Sequence, residues 1–241
     1  MFNNISSKKV YEQVIEQIQE SILIGELKKG DKLPSERELS DRMRVSRTSI
    51  REALRVLETM GVVESRQGEG NFICTNIEKS LIEPLSMIFK LNDGTWQNVL
   101  ELREMLELQT VKIAAITSTE EDCRELKAIV DDMKKETQQS SNKKEIVRLD
   151  QKFHKKLVSM SKNYLIESLF VTSSKLFEGF IKDAREKIIA TSWTQEVLVD
   201  KHDAIYEAIS CKNPDEAYNK MKEHMDIIRK SYEEMNNTEN C

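Results

Sequence analysis

Proline and glycine are scarce in this chain, at three and seven of 241 positions. With a charged fraction of 33 %, that scarcity favours helices and argues against long disordered segments. Cysteine is sparse too. Cys74, Cys123, Cys211 and Cys241 are scattered with no C-x-x-C pair, which argues against zinc-finger spacing and a disulfide framework and points to four free thiols. No run approaches the roughly 20 apolar residues of a membrane span. The opening residues, MFNNISSKKVYEQV, lack a basic stretch followed by an apolar one, so no signal peptide is expected. A cytoplasmic protein with no membrane partner is the expectation. There is no H-E-x-x-H helix and no G-x-S-x-G elbow, two common signatures of hydrolytic enzymes. Nor is there a surplus of positive charge. Residues 1–77 carry 12 Lys+Arg and 12 Asp+Glu, and residues 78–241 carry 25 against 30. A DNA-binding domain need not be basic overall, but it needs a basic face, so such a function rests on where the arginines sit.

What is present is helical periodicity. Val10, Val14, Ile18 and Ile22 fall four apart, with Tyr11, Ile15 and Leu23 beside them, and Gly25 closes that amphipathic segment. After the turn-rich GELKKGDKLP, Ser35 and Glu38 form the pattern of a capping box, and a short helix is expected through about Met43. Arg44-Val45 makes a brief turn. Ser46 then caps a helix running to about Met60, with Ile50, Leu54 and Leu57 inward. Val62–Arg66 and Asn71–Cys74 read as two short strands around a Gln67-Gly68-Glu69-Gly70 hairpin.

Beyond about Glu78 the strand signal vanishes. Residues 77–95 read as a connection in which Pro84 opens a short apolar helix and Asn92-Asp93-Gly94 makes a turn. Thr95 caps a helix through about Thr117, and Thr119 with Asp122 caps another to about Gln138. Further helices are expected over 143–160, 163–187, 194–211 and 214–235, the last opened by Asn213-Pro214. The fold class is mainly α: an N-terminal winged helix-turn-helix followed by an all-α bundle.

A helix-turn-helix sends its second helix into the major groove, with the N-terminal residues on base edges. Here that helix begins Ser46-Arg47-Thr48-Ser49-Ile50-Arg51. Arg47 and Arg51, four apart, share one exposed face. Thr48 and Ser49 are small donors at a helix N-terminus, where backbone N–H groups also favour phosphate. Arg37, in the bracing helix, is placed to reach the DNA backbone or a groove edge.

The stretch PSERELSDRMRVSRTSIREALRVLETMGVVESRQGEGNFI resembles the winged helix-turn-helix of the GntR family, over roughly residues 8–74. The resemblance implies dimeric binding to a short pseudo-palindromic operator. Its DNA-contacting positions fall on Arg37, Ser46, Arg47, Thr48, Ser49, Arg51 and the wing-tip pair Gln67-Gly68.

All three histidines, His154, His202 and His224, lie in the C-terminal part, each inside an expected helix. Asp150 precedes His154 by four and so projects from the same helical face. His202 and His224 come from the last two helices, joined by a short connection that makes them antiparallel neighbours. Four ligands on three helices could converge in a bundle core, as metal sites in bundles do.

The segments E-L-R-x-x-L-E (101–107), D-x-x-F-H-x-x-L-x-x-x-S-x-N (150–163) and the pattern over 202–224 resemble the FCD ligand-binding domain of the FadR subfamily. Many such domains hold a divalent metal through one Asp and three His, and those positions fall on Asp150, His154, His202 and His224. Members that bind fatty acyl thioesters lack these ligands, which argues against that ligand class here. The resulting division is a DNA-binding domain over 1–77, a linker over 78–95 and a sensing and dimerisation domain over 96–235.

One carboxylate and three neutral imidazoles leave a divalent ion with a net positive charge, and an octahedral ion would keep two positions open. A small carboxylate, above all a 2-hydroxy acid, could chelate there, with Arg103 as a second clamp through its guanidinium. The other reading of Arg103 is a helix-surface pair with Glu107 or Glu101. Zinc leads among the metals, with nickel, manganese and iron also suited to the donor set. The expected function is a homodimeric DNA-binding transcription regulator tuned by that effector. The alternatives are a metal-dependent enzyme, and a regulator whose metal is purely structural.

Overall fold

The computed structural model describes residues 8–76, 78–139, 142–176 and 192–239. The chain divides into two compact units, one ending at Pro84 and one beginning at Leu85.

In the first unit, α1 (Val10–Leu23) buries Val14 and Ile18, and Gly25 follows at φ +82, a left-handed conformation that glycine adopts without strain. Helix α2 (Glu36–Met43) starts on a reciprocal capping box: the Glu38 amide donates to Ser35 Oγ at 3.2 Å, and the Ser35 amide to the Glu38 carboxylate at 2.8 Å. The expected turn is in place, with Arg44 left-handed at φ 54 and the Ser40 hydroxyl donating to the Val45 carbonyl at 2.6 Å. Helix α3 (Arg47–Thr59) is capped by Ser46, whose oxygen accepts from the Ser49 amide at 3.1 Å, and it buries Ile50, Ala53, Leu54 and Leu57. Each such Ile or Leu contributes about 1.5–3 kcal/mol relative to exposure.

Strands β1 (Val63–Arg66) and β2 (Gly70–Ile73) pair antiparallel from Val63↔Ile73 to Arg66↔Gly70. Lys32 adds a bridge to Phe72 on the outer side. Val14, Ile18, Leu33, Leu39, Ile50, Leu54, Leu57, Val63 and Ile73 form one core that seats α3 and the hairpin together.

Helix α4 (Glu78–Leu91) corrects the expectation for Pro84, which lies inside the helix rather than opening it. Proline's fixed φ is itself helical. Its cost is one missing hydrogen bond and a clash with the carbonyl four residues back, which here does not stop the helix. The second unit continues with α5 (Trp96–Thr117), α6 (Glu120–Gln139), α7 (Lys143–Ser159), α8 (Tyr164–Leu176), α9 (Ser192–Ser210) and α10 (Pro214–Glu239). The expected helix 163–187 is described as far as Leu176; its remainder lies outside the described residues. The caps at Thr119–Asp122 and Asn213 form as the residue types require.

Helix α5 lies against α10, α7, α9 and α8; α9 also packs on α10 and α6, and α6 on α7. Phe153, Leu157, Met160, Ile205, Ile209, Met221 and Met225 fill the space between them. Cys74, Cys123 and Cys211 are free thiols, while Cys241 lies outside the described residues. Among the described residues no helix is long and apolar enough to cross a membrane.

Candidate functional site

The first unit presents its arginines outward. Arg37, Arg47, Thr48 and Arg51 are exposed on α2 and α3. Gln67 and Gly68 stand exposed at the hairpin tip, with Gly68 at φ +78. The structure adds partners that the spacing did not reveal. Arg51 Nε donates to the Glu36 carboxylate at 2.7 Å, which tethers that side chain to α2. The Ser46 and Ser49 hydroxyls lie 3.0 Å apart, and Ser46 also caps α3, so Ser46 is committed first to its own helix. Within the wing, the Arg66 guanidinium stacks 4.2 Å from the centroid of Phe72 and the Lys32 ammonium stands 5.8 Å from it. Neither cation was singled out from the sequence. The register pairs Arg66 with Gly70, two residues before Phe72, which makes that cation and ring diagonal cross-strand neighbours.

In the second unit α7, α9 and α10 bring Asp150, His154, His202 and His224 together. One ligand atom from each lies within 4.8 Å of all the others. The three rings are fully buried and Asp150 is 8 % exposed. His202 Nε2 stands 3.2 Å from Asp150 Oδ1 and 3.5 Å from His154 Nε2, and His154 Nε2 is itself 3.5 Å from Asp150 Oδ1. The ring of Phe153 meets that of His202 edge to face, with centroids 4.5 Å apart, and walls the cluster on one side.

The outer nitrogens decide what these rings offer. His202 Nδ1 lies 2.6 Å from the Leu198 carbonyl oxygen, which can only accept, so Nδ1 carries the proton. His154 Nδ1 meets the Glu107 carboxylate. Burial would raise the Glu107 carboxyl, but Arg103 and His154 outweigh it and lower it to about 2. The carboxylate is therefore ionised and also only accepts. With both rings neutral, the two Nε2 atoms turn lone pairs toward each other and toward Asp150, so that three acceptors converge. Neither ring nitrogen of His224 has a hydrogen-bond partner among the described residues, an expensive state for a buried polar group. A divalent cation relieves both problems at once, so the residues fit a metal.

The charge states agree. Burial, reinforced by the other two rings, holds His224 well below the ordinary histidine value, and burial holds His202 below it. Both are thus neutral, as ligands must be. Burial would lower His154 as well, but Glu107 and Asp150 raise it.

Arg103 is 6 % exposed, and its Nε donates to Glu107 at 2.8 Å. Of the two readings left open for this residue, the glutamate pair is formed, and it is buried rather than solvated. Arg103 also helps to hold the His224 pKa down, so it reaches the cluster electrostatically. Glu107 itself went unassigned as a site residue. The signal was available: Arg103, Glu107, Thr110 and Ala114 fall on one buried face of α5, and charges on an inward stripe demand partners.

Residues 10–73 match the bacterial regulatory proteins of the gntR family, and residues 98–227 match the FCD domain. The chain is 32 % identical to the HTH-type transcriptional regulator YcbG of Bacillus subtilis, covering 94 % of this chain and 91 % of that protein. It is 31 % identical to the HTH-type transcriptional regulator LutR of the same organism, covering 87 % and 97 %. Among solved structures, the Streptococcus agalactiae GntR protein superposes with a TM-score of 0.70 at 27 % identity, covering 92 % of this chain and 99 % of that one.

Proposed function

The chain belongs to the GntR family of bacterial regulatory proteins and carries an FCD domain, and from that premise we propose that a small carboxylate, met by a metal in the helical bundle, sets its affinity for an operator. As a DNA-binding transcription regulator it works in the cytoplasm. Arg37, Arg47, Thr48, Ser49, Arg51 and the Gln67-Gly68 wing tip meet DNA, with Ser46 holding the reading helix in register. A single recognition helix spans only part of a groove turn, so a homodimer on a pseudo-palindromic site is the fitting assembly.

The observation that carries the sensing half is the convergence of ring nitrogens and a carboxylate oxygen at His154, His202 and Asp150, with His224 unsatisfied beside them. A divalent transition ion held by these four residues, zinc first and nickel, manganese or iron next, supplies Lewis acidity toward an anionic oxygen. The protein contributes the rest. Phe153 and the surrounding apolar side chains keep the cluster dry, which strengthens every charge interaction inside. Glu107 holds the Nε edge of Arg103, and the Nη end of the guanidinium meets the effector carboxylate. A 2-hydroxy acid would suit such a pair, because its hydroxyl and one carboxylate oxygen could reach the ion while the carboxylate also engaged Arg103. Because α7, α9 and α10 all contribute ligands, occupancy fixes their relative positions, and an effector that prefers one arrangement biases DNA affinity.

The test has two arms. Metal content is measured for the wild type and for His154→Ala/His224→Ala purified without chelator; metal in the first and not the second is expected, and negligible metal in both sinks the site. Operator affinity is then titrated with small 2-hydroxy acids and with simple monocarboxylates. A shift that Arg103→Ala abolishes supports the clamp, and an equal shift in that variant rejects it. Metal without any carboxylate response supports a purely structural ion. Turnover of the added acids supports a metal-dependent enzyme. A monomeric mass, both free and on DNA, rejects the dimer.

A further inference from the structure

Glu107 is a fully buried carboxylate on α5, 47 positions before His154 in the chain. Its two oxygens are divided between two elements. Oε1 accepts from Arg103 Nε at 2.8 Å, one helical turn earlier on α5, and Oε2 faces His154 Nδ1 on α7 within hydrogen-bond reach. Arginine cannot give up its proton and cannot accept a hydrogen bond. A carboxylate paired with Arg103 through one oxygen offers its other oxygen as an acceptor, which gives His154 Nδ1 the donor's role. We propose that Glu107 is a positioning residue: it locks His154 into the Nδ1–H tautomer, so that Nε2 faces Asp150, His202 and His224 without a proton.

A packing role alone makes a different forecast. If Glu107 only neutralised Arg103, the histidine could carry its proton on either nitrogen. His202 shows the same device with a different acceptor, the Leu198 carbonyl one turn back on its own helix. For His154, the equivalent lock comes from another helix and carries a charge. Carboxylate–histidine pairs of this kind fix ring orientation and raise ligand basicity in metal sites.

The substitution Glu107→Gln separates the two roles. A glutamine that gives its oxygen to Arg103 must turn its NH2 toward His154 Nδ1. That nitrogen then accepts, and the ring proton moves to Nε2, into the ligand cluster. The opposite amide orientation sets NH2 against the Arg103 N–H and is disfavoured.

The experiment records long-range proton–nitrogen correlations of the histidine rings in the full-length, metal-stripped protein, at a pH where the His154 ring is neutral. Wild-type His154 is expected with Nδ1 protonated and Nε2 bare, and E107Q with the reverse. Zinc affinity, measured by competition with a chromogenic chelator, is expected to fall about 10–100-fold in E107Q. A wild-type ring protonated on Nε2 overturns the inference without any variant, and the Nδ1 form supports it even if E107Q does not fold. An E107Q ring in the wild-type tautomer overturns it as well. The affinity arm rests on the metal reading above, whereas the tautomer arm does not. If the wild type takes up no zinc, the metal reading fails and the tautomers alone decide the role of Glu107.

Discussion

Replacing Asp122 with asparagine is expected to destabilise the helical unit by about 2 kcal/mol at neutral pH and by progressively less in acid. Asp122 sits in the first turn of α6 and ties it to the far end of α7. Its carboxylate accepts from the Thr119 amide at 3.0 Å and the Thr119 hydroxyl at 2.8 Å, and from the Lys156 and Lys162 ammonium groups at 2.9 and 2.8 Å. Burial pushes the carboxyl up, but Lys156, Lys162 and Thr119 together outweigh it and hold it well below the usual carboxylate range. Asparagine keeps the shape and one acceptor, so most of the cap survives. What goes is charge. The Lys156 side chain is 15 % exposed and counts near the full value of a charge-assisted bond, about 1.5–3 kcal/mol. The Lys162 side chain, at 52 %, is screened and adds at most about 1 kcal/mol.

The sign of the pH dependence follows from the lowered value. A depressed carboxyl contributes stability that is complete above its unfolded pKa of about 3.9 and is lost as pH falls through the folded one. The gap between wild type and D122N is therefore flat through the neutral range, begins to close below about pH 4 and closes further in stronger acid. Both tryptophans, Trp96 and Trp193, belong to the unit that begins at Leu85, so urea unfolding followed by tryptophan fluorescence reports this unit. No gap at neutral pH, or a gap of unchanged size at about pH 3, refutes the reasoning.

Three further outcomes are expected. Arg47→Ala and Arg51→Ala each weaken operator binding by about 1–3 kcal/mol where the side chain reads a base; unchanged affinity in both folded variants removes α3 as the reading helix. Zinc affinity rises with pH until the His154 ring has lost its extra proton, and below that point close to one proton is released per ion. The reason is that His154 alone of the three rings is raised, while His202 and His224 are already neutral; calorimetry in buffers of different ionisation enthalpy counts the protons, and zero or two contradicts the assignment. Gly94→Ala places a Cβ 2.2 Å from the Phe89 ring, while the Gly94 amide is bonded to the Phe89 carbonyl at 2.9 Å. The ring must leave its seat against Val99 and Leu102, at about 1–3 kcal/mol, and an unmoved urea midpoint counts against that packing.

Local signals carried most of the fold. Ser35, Ser46, Thr119 and Asn213 are short polar side chains at the starts of apolar-periodic runs, and each accepts from its own helix as expected. The four candidate ligands were legible for the same reason, since an i,i+4 pair and two neighbouring antiparallel helices are statements about spacing. Pro84 misled because a proline can begin a helix or sit within one at a cost, and the sequence pattern does not decide between them.

Burial is what spacing could not supply. Arg103 and Glu107 stand four apart, and that interval describes a solvated pair worth a few tenths of a kcal/mol as well as it describes a buried one. The difference lies on the neighbouring helix α7, where His154 occupies the second oxygen of Glu107. On a surface helix the glutamate would be replaceable; inside, the same two charges constrain a third residue on another helix. The inward stripe of α5 held the clue, because Leu100, Val111 and Ala114 share a face with Arg103 and Glu107. A charged pair on an apolar stripe is costly unless both members are fully partnered. In the structure Arg103 takes one carboxylate oxygen through Nε, and the other is met from α7, a helix packed on α5, by His154.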